Sequence, residues 1–311
     1  MLTKKVINQD FKLVRTCSIW RALDDVGDVP CLLILQSIWM GQTHFNEINK
    51  IAHLPKAVLS DRLQKLRNAG ILTRPSKGGS AYRLTPKGLD LFSVVLMLLR
   101  WERRWSRDRT GPQVTLLHRS TGQAITPQPI CAHCRSPFSA KEIDWQPGPG
   151  TGLMRPVYAR RRQRKAKLED DNVTLLFTES AEILGDRWSA LIIRSMLTGL
   201  DLFDQILDDT AIATNVLSTR LKWLQKIGIV SPVPEGASAY KLTEKGEDFF
   251  TVLAMLQIWG DAYYASPEGA PVQFIHRTCG HDLSPTIVAE ESGETIELGD
   301  TWISFPPDSE Q

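Results

Sequence analysis

The chain repeats itself in strict register. Val58-Leu-Ser-Asp-Arg-Leu63 recurs as Val216-Leu-Ser-Thr-Arg-Leu221, and Ser80-Ala-Tyr-Arg-Leu-Thr85 recurs as Ser238-Ala-Tyr-Lys-Leu-Thr243, both 158 residues on. The same offset carries Gly27-Asp28 onto Gly185-Asp186, Phe45 onto Phe203 and Gly70-Ile71 onto Gly228-Ile229. It also carries Lys87-Gly88 onto Lys245-Gly246, Trp101 onto Trp259 and His118-Arg119 onto His276-Arg277. Chance matches drift in register, so the chain is a tandem duplication of a unit of about 130 residues. Whatever fold one copy adopts, the other must adopt too. The length of 311 residues and 42% hydrophobic content fit two ordinary globular domains.

Several classes are set aside at once. No apolar run reaches the ~18 residues of a membrane span; the longest, Leu89 to Leu99, is broken by Asp90. The first residues carry positive charge but no apolar signal core, and the five cysteines are too scattered for a disulfide framework. Both point to a reducing cytoplasm and away from a membrane. No Gly-rich phosphate loop or nucleophile elbow is present, so an enzyme is not expected, nor any cofactor.

The net charge of +2 conceals a division. Residues 1–167 hold 29 lysines and arginines against 11 acids, a balance of +18, whereas residues 168–311 hold 8 against 24, a balance of −16. The first half is suited to a polyanion and the second is repelled by one.

Within each copy the apolar pattern places helices first and a hairpin later. Leu32–Trp39 and Ala190–Leu197 are short apolar segments, each closed by a glycine, Gly41 or Gly199. Phe45-Asn-Glu-Ile48 and Phe203-Asp-Gln-Ile206 space two apolar residues for a short second helix. A third helix runs from about Pro55 to Asn68, with Val58, Leu59, Leu63 and Leu66 as its stripe, matched by Val216, Leu217, Leu221 and Leu224. Gly70 to Thr85 reads as a strand, a Gly-rich turn and a strand, and a last amphipathic helix runs on to about Arg104. The expected architecture is mainly α with small β wings: two tandem winged helix-turn-helix domains, each with a short ribbon-like extension. The boundaries expected are 14–144, a Pro/Gly-rich and basic linker at 145–172, and 173–305.

With those elements in place, a family resemblance emerges. Gly185-Asp-Arg-Trp-Ser-Ala-Leu-Ile-Ile-Arg-Ser-Met-Leu197, Leu217-Ser-Thr-Arg-Leu-Lys-Trp-Leu224, Gly228-Ile-Val230 and Tyr240-Lys-Leu-Thr-Glu-Lys-Gly246 resemble the HxlR family of winged-helix regulators. The first copy matches through Cys17-Ser-Ile-Trp-Arg-Ala-Leu23, Phe45-Asn-Glu-Ile48, Leu59-Ser-Asp-Arg-Leu63 and Tyr82-Arg-Leu-Thr-Pro-Lys-Gly88. It departs where Val29-Pro30 stands against Arg187-Trp188, which puts the helix start there in question. The resemblance implies a DNA-binding transcriptional regulator. Members usually carry one unit and act as homodimers, so a tandem copy is a departure.

In such a unit the third helix enters the major groove and the wing touches the flanking backbone. That role falls to Lys56, Ser60, Arg62, Gln64, Lys65 and Arg67, with Arg74 and Lys77 on the wing beside Gly78-Gly79. Arg62 and Arg220 recur in both copies, which equally fits a shared structural contact. The second copy offers Arg220 and Lys222, but its wing, Pro232-Val-Pro-Glu-Gly236, has lost its cations and acquired Glu235. The basic first copy is therefore expected to read DNA, with the acidic second copy serving dimerisation, sensing or partner binding. The alternative is a winged-helix scaffold that binds another protein. Between the copies, Arg160, Arg161 and Arg162 belong to a run of seven cations that could track phosphates or dock on the acidic copy. The copies could pair within one chain or between two chains; the charge asymmetry favours two chains.

The cysteines leave further options. Cys131-Ala-His-Cys134 has metal-ligand spacing, and Cys279-Gly-His281 adds two soft donors. In register, however, Cys131 and Cys134 fall on Ala289 and Ser292, while Cys279 and His281 fall on Thr121 and Gln123. A decayed, metal-free ribbon is the favoured reading, against a composite site of Cys131, Cys134, Cys279 and His281 or a redox-active Cys131/Cys134 pair. Cys17 lies where the family often has a cysteine, which in some members senses oxidants, and Arg15 and Arg21 are its neighbours in sequence. A buried, inert thiol is the competing reading. Cys31, on an apolar helix, is expected in the core.

Overall fold

The computed structural model describes residues 13–74, 79–105, 114–155, 176, 178–233 and 238–304. The first copy comprises β1 (Val14–Arg15), α1 (Ser18–Val26), α2 (Val29–Trp39), α3 (Phe45–Ala52), α4 (Lys56–Asn68), β2 (Leu72–Thr73), β3 (Arg83–Leu84), α5 (Pro86–Leu89) and α6 (Phe92–Trp105). Its ribbon holds β4 (Thr115–His118), β5 (Pro127–Cys131), β6 (Ile143–Pro147) and β7 (Leu153–Met154). The second copy follows with α7 (Thr178–Gly185), α8 (Arg187–Leu197), α9 (Phe203–Thr210), α10 (Thr214–Lys226), β8 (Val230–Pro232), β9 (Tyr240–Leu242), α11 (Glu244–Asp248) and α12 (Phe250–Tyr264). Its ribbon holds β10 (Val272–His276), β11 (His281–Asp282), β12 (Pro285–Ala289) and β13 (Thr301–Ser304). Each copy is thus a winged helix-turn-helix with a ribbon-like extension.

Local chemistry accounts for most boundaries. Asp28 accepts from the Cys31 amide at 2.9 Å and caps α2, and Pro30 sits in the first turn, where an amide is dispensable. The Val-Pro pair therefore does not displace the helix start. Leu59, Leu63 and Leu66 bury one side of α4, as Leu217, Leu221 and Leu224 do on α10. Two elements differ from the sequence reading. An additional helix, α1, precedes the apolar one, burying Ile19, Trp20, Leu23 and Val26. The last helix is two helices, because the chain bends at Asp90-Leu91 to bury Leu91 beneath the start of α6.

The two copies are interlocked. β5 pairs antiparallel with β12, and Pro129 stands opposite Ile287, its own counterpart in the repeat. An approximate two-fold axis therefore passes through that pair. The same axis exchanges β4–β13, where His118 faces Thr301, with β6–β10, where Ile143 faces His276. The helices obey it as well: α1 packs on α12, α7 packs on α6, and α6 crosses α12. Trp101 Nε1 donates to the Lys245 carbonyl at 3.0 Å, and Trp259 Nε1 to the Lys87 carbonyl at 2.9 Å. Trp105 likewise donates to Asp248, and Tyr263 to Asp90.

Charge asymmetry favours pairing between chains; within this chain, the ribbon and final helix of each copy already pack against those of the other. The linker expected at 145–172 begins as ordered structure: β6 extends to Pro147, and Gly148 and Gly150 donate to Pro271 and Ala270, both at 3.0 Å. A side chain at Gly150 would put its Cβ 2.1 Å from the Gly269 carbonyl, so only glycine fits this approach. β7 then pairs with β1, Met154 facing Val14. Arg160, Arg161 and Arg162 lie outside the described residues. Among the described residues, no helix is long and apolar enough to cross a membrane.

Copies bound this way should unfold together. Fluorescence and far-UV circular dichroism are expected to report one coincident urea transition for the chain, not one per copy. Trp101→Phe and Trp259→Phe should each cost about 1–3 kcal/mol, since the first leaves a buried carbonyl and the second a part-buried one without the indole donor.

Candidate functional site

The outer face of α4 is open to solvent. Lys56, Ser60, Asp61, Gln64, Arg67 and Asn68 are exposed along it, opposite the leucine stripe. Gln64 donates to Asn68 at 2.6 Å and accepts from Arg67 at 3.2 Å, which holds three polar side chains together on the surface. On the wing, Arg74 lies 4.7 Å over the ring of Tyr82, its charge fixed beside the helix it flanks. Lys77 lies outside the described residues.

Arg62 and Lys65 are placed differently. Both reach back to Asp28 at the start of α2, Arg62 Nε at 3.1 Å and Lys65 Nζ at 3.4 Å. Burial opposes ionisation of Asp28, but Lys65, the Cys31 thiol, Arg62 and the Cys31 amide together outweigh it and hold the carboxyl below its usual range. In the second copy, Arg220 pairs with Asp186, which also accepts from Ser189 at 2.6 Å. Asp186 is the repeat counterpart of Asp28. The arginine that recurs in both copies thus ties the third helix to the first turn of the apolar helix, the shared structural contact. The recurrence of Asp28 at Asp186, at the same offset as Arg62 and Arg220, was the signal for it. On α10, Asn215, Thr219 and Lys222 are exposed.

Cys17 is buried at the start of α1. Arg15 pairs with Asp209 at 2.7 Å and donates to Thr198 at 2.9 Å, while Arg21 bonds the Tyr264 carbonyl. Arg194 shares Asp209, so one acid of the second copy sits between two arginines, one from each copy. Cys31 is fully buried, and burial pushes its thiol well up.

The remaining cysteines converge. Cys131 at the end of β5, Cys134 in the following turn, Cys279 after β10 and His276 at the end of β10 bring their donor atoms within 4.8 Å of one another. Cys131 Sγ and Cys279 Sγ are 4.0 Å apart, and His276 Nδ1 is 3.4 Å from the sulfurs of both Cys134 and Cys279. The three cysteines singled out by spacing do meet, but His276 replaces His281 as the fourth member. His281 is turned outward by Gly280, at φ +70°, and stacks on His133 with ring centres 3.5 Å apart. The clue missed in the sequence is that His276-Arg-Thr-Cys279 has the spacing of Cys131-Ala-His-Cys134.

Asp28→Asn should isolate the charge at the base of α4, because asparagine caps a helix equally well. A loss of about 1–3 kcal/mol is expected at pH 7. Since the folded carboxyl titrates below its unfolded value of about 3.9, that contribution is present above this pH and is lost as acid takes the pH through the folded value. Urea midpoints of the variant and the parent should therefore converge at low pH.

The HxlR-like helix-turn-helix family model matches residues 26–110 and again 183–268. Rv3095, an HTH-type transcriptional regulator of Mycobacterium tuberculosis, is 36% identical over 119 residues, spanning 37% of this chain and 75% of its own length. The HTH-type regulator YodB of Bacillus subtilis is 35% identical over 91 residues, 27% of this chain and 81% of its own. Among solved structures, the transcription factor PA1374 from Pseudomonas aeruginosa is 33% identical, with a TM-score of 0.33, covering 43% of this chain and 93% of that one.

Proposed function

The chain belongs to the HxlR-like helix-turn-helix family of transcriptional regulators, and we propose that it binds duplex DNA mainly through its first copy. The observation that carries this reading is the solvent-facing side of α4, where Lys56, Ser60, Gln64 and Arg67 stand clear of the core in the half of the chain with a balance of +18. Gln64 and Ser60 are types that hydrogen-bond base edges, while Lys56, Arg67 and Arg74 are types that bind phosphates. Lys77 and the Arg160–Arg162 run extend the cationic set in sequence. Arg62, Lys65 and Arg220 have a docking role in this reading, since their charges are already matched by Asp28 and Asp186.

The second copy acts as the intramolecular partner. It supplies the surface that a second subunit supplies in a homodimer, and its acidic balance of −16 weakens its own hold on phosphates. Lys222 and Lys226 are its exposed cations on α10. One chain then presents a strong reading head and a weak one. The cytoplasm, where duplex DNA is accessible in bacteria, is the compartment this activity requires.

The test is a salt titration of duplex binding by the full chain, since each half alone would expose the face of α6 or α12. Each phosphate contact contributes roughly 0.9 to the slope of log affinity against log salt. Lys56→Ala and Arg67→Ala should each reduce the slope by about that amount, whereas Lys222→Ala should leave it nearly unchanged. Gln64→Ala should relax sequence preference with little effect on the slope. Binding indifferent to salt, or a slope that falls only with Lys222→Ala, would overturn the assignment in favour of a protein-binding scaffold or a second-copy reader.

A further inference from the structure

We propose that Cys131, Cys134, His276 and Cys279 bind one zinc ion that fastens the ribbon of the first copy to that of the second. The donor set is three thiols and an imidazole, the composition of a closed structural zinc site. Its dimensions agree. With Zn–S about 2.3 Å and Zn–N about 2.0–2.1 Å, a tetrahedron sets two sulfurs about 3.8 Å apart and a sulfur and nitrogen about 3.5–3.6 Å apart. The corresponding separations here are 4.0 Å for Cys131–Cys279 and 3.4 Å for His276 Nδ1 to Cys134 and to Cys279.

The backbone is shaped for it. In the first turn the Arg135 amide donates to the Cys131 carbonyl at 2.7 Å, and Arg135 takes the left-handed conformation at φ +60°. In the second the Gly280 amide donates to the His276 carbonyl at 2.8 Å, with Gly280 at φ +70°. Two turns of one design, each offering donors at its first and fourth positions, face each other across the copies. Left-handed backbone is costly for arginine, and it is adopted here immediately after Cys134, in the turn whose two sulfurs lie within 4.8 Å of each other. Cys131 and His276 are fully buried, so the ion would be shielded from solvent on one side. His276 presents Nδ1 to the sulfurs, which makes it the ligand atom, while its other ring nitrogen lies buried without a hydrogen-bond partner among the described residues.

The approximate two-fold axis supplies an internal control. It carries these four positions onto Ala289, Ser292, His118 and Thr121, where the turns persist, with Gly293 at φ +71° and Gly122 at φ +67°. One donor of four strong ligands remains there. The charge on one zinc and three thiolates requires three protons to leave, so binding tightens with pH, and the ion links residues 142 apart in sequence, Cys134 and His276.

Full-length protein expressed with zinc and purified without chelator should carry about one zinc per chain by mass spectrometry of the metal. Cys134→Ser and Cys279→Ser should each fall below about 0.2, while Cys17→Ser retains the ion. Should a ligand variant fail to fold, cobalt loading of the parent chain decides: tetrahedral thiolate coordination gives intense visible bands and sulfur-to-cobalt charge transfer. Metal below about 0.2 per chain without those bands would overturn the proposal. So would zinc retained in both ligand variants, or an intact mass showing that Cys131 and Cys279 have instead lost two hydrogens to a disulfide.

Discussion

Burial of the two final helices against each other and against the opposite N-terminal helices is the constraint on which everything else rests. α6 and α12 are almost continuous apolar surfaces: α6 buries Val94 through Leu99 and Trp101, and α12 buries Phe250 through Gln257 and Trp259. Neither copy has enough of its own chain to cover such a face, so the fold closes only when the copies meet. The tryptophans convert a non-directional attraction into a defined geometry. Each indole N–H finds one carbonyl on the other copy, which fixes the rotation of each helix and, through the adjoining hairpins, the orientation of both wings. A DNA-reading surface is only as precise as this joint.

The exposed face of α4 follows from that arrangement. Its leucines are consumed by the core, Arg62 and Lys65 by Asp28, and what remains outward is a compact polar strip. The same construction in α10 turns Lys222 and Lys226 outward, as many cations as Lys56 and Arg67 on α4. The charge difference lies beside these helices, where Asp204 and Asp208 are exposed on α9 and Lys50 on α3. Such flanking charge is still felt within a Debye length, about 8 Å at physiological salt.

Much of this was legible in the sequence, and the failures have physical causes. The repeat register located α2 to α4 and α8 to α10 through local periodicity, closely for α4, while α2 and α8 begin three residues before their apolar segments and α3 and α9 run four residues past theirs. It did not reveal the strand partners, because β4, β5 and β6 pair with the other copy and no local pattern encodes which edge a strand will meet. The break between α5 and α6 was hidden because Asp90 and Leu91 continue a helical apolar pattern. Residue type alone could not say whether Arg62 faces a phosphate or a carboxylate; both accept the same guanidinium hydrogens. His281 looked like a ligand because it is nearest Cys279 in sequence, whereas the turn at Gly280 gives that place to His276.

Joining two copies in one chain changes what the interface must satisfy. In a homodimer the interface is self-complementary, so each contact occurs twice and each residue must serve both places it occupies. A covalent tandem lifts that requirement, and the structure shows where it has been used. Gly260 on α12 admits the Ser18 carbonyl of α1 so closely that a Cβ there would lie 2.7 Å from it. Its counterpart on α6 is Glu102, which instead accepts the Glu179 and Ser180 amides at 3.1 and 2.9 Å and caps α7. Trp105 and Tyr263 reach matching aspartates with different rings. The thiol–imidazole cluster is the sharpest case: a symmetric dimer would build it twice or lose it twice, whereas here one copy keeps Cys131 and Cys134 and the other keeps His276 and Cys279. The same freedom allows one copy to be cationic and the other acidic without dividing the protein into two genes, so the asymmetry in charge and the asymmetry in ligands have a single origin in the covalent link.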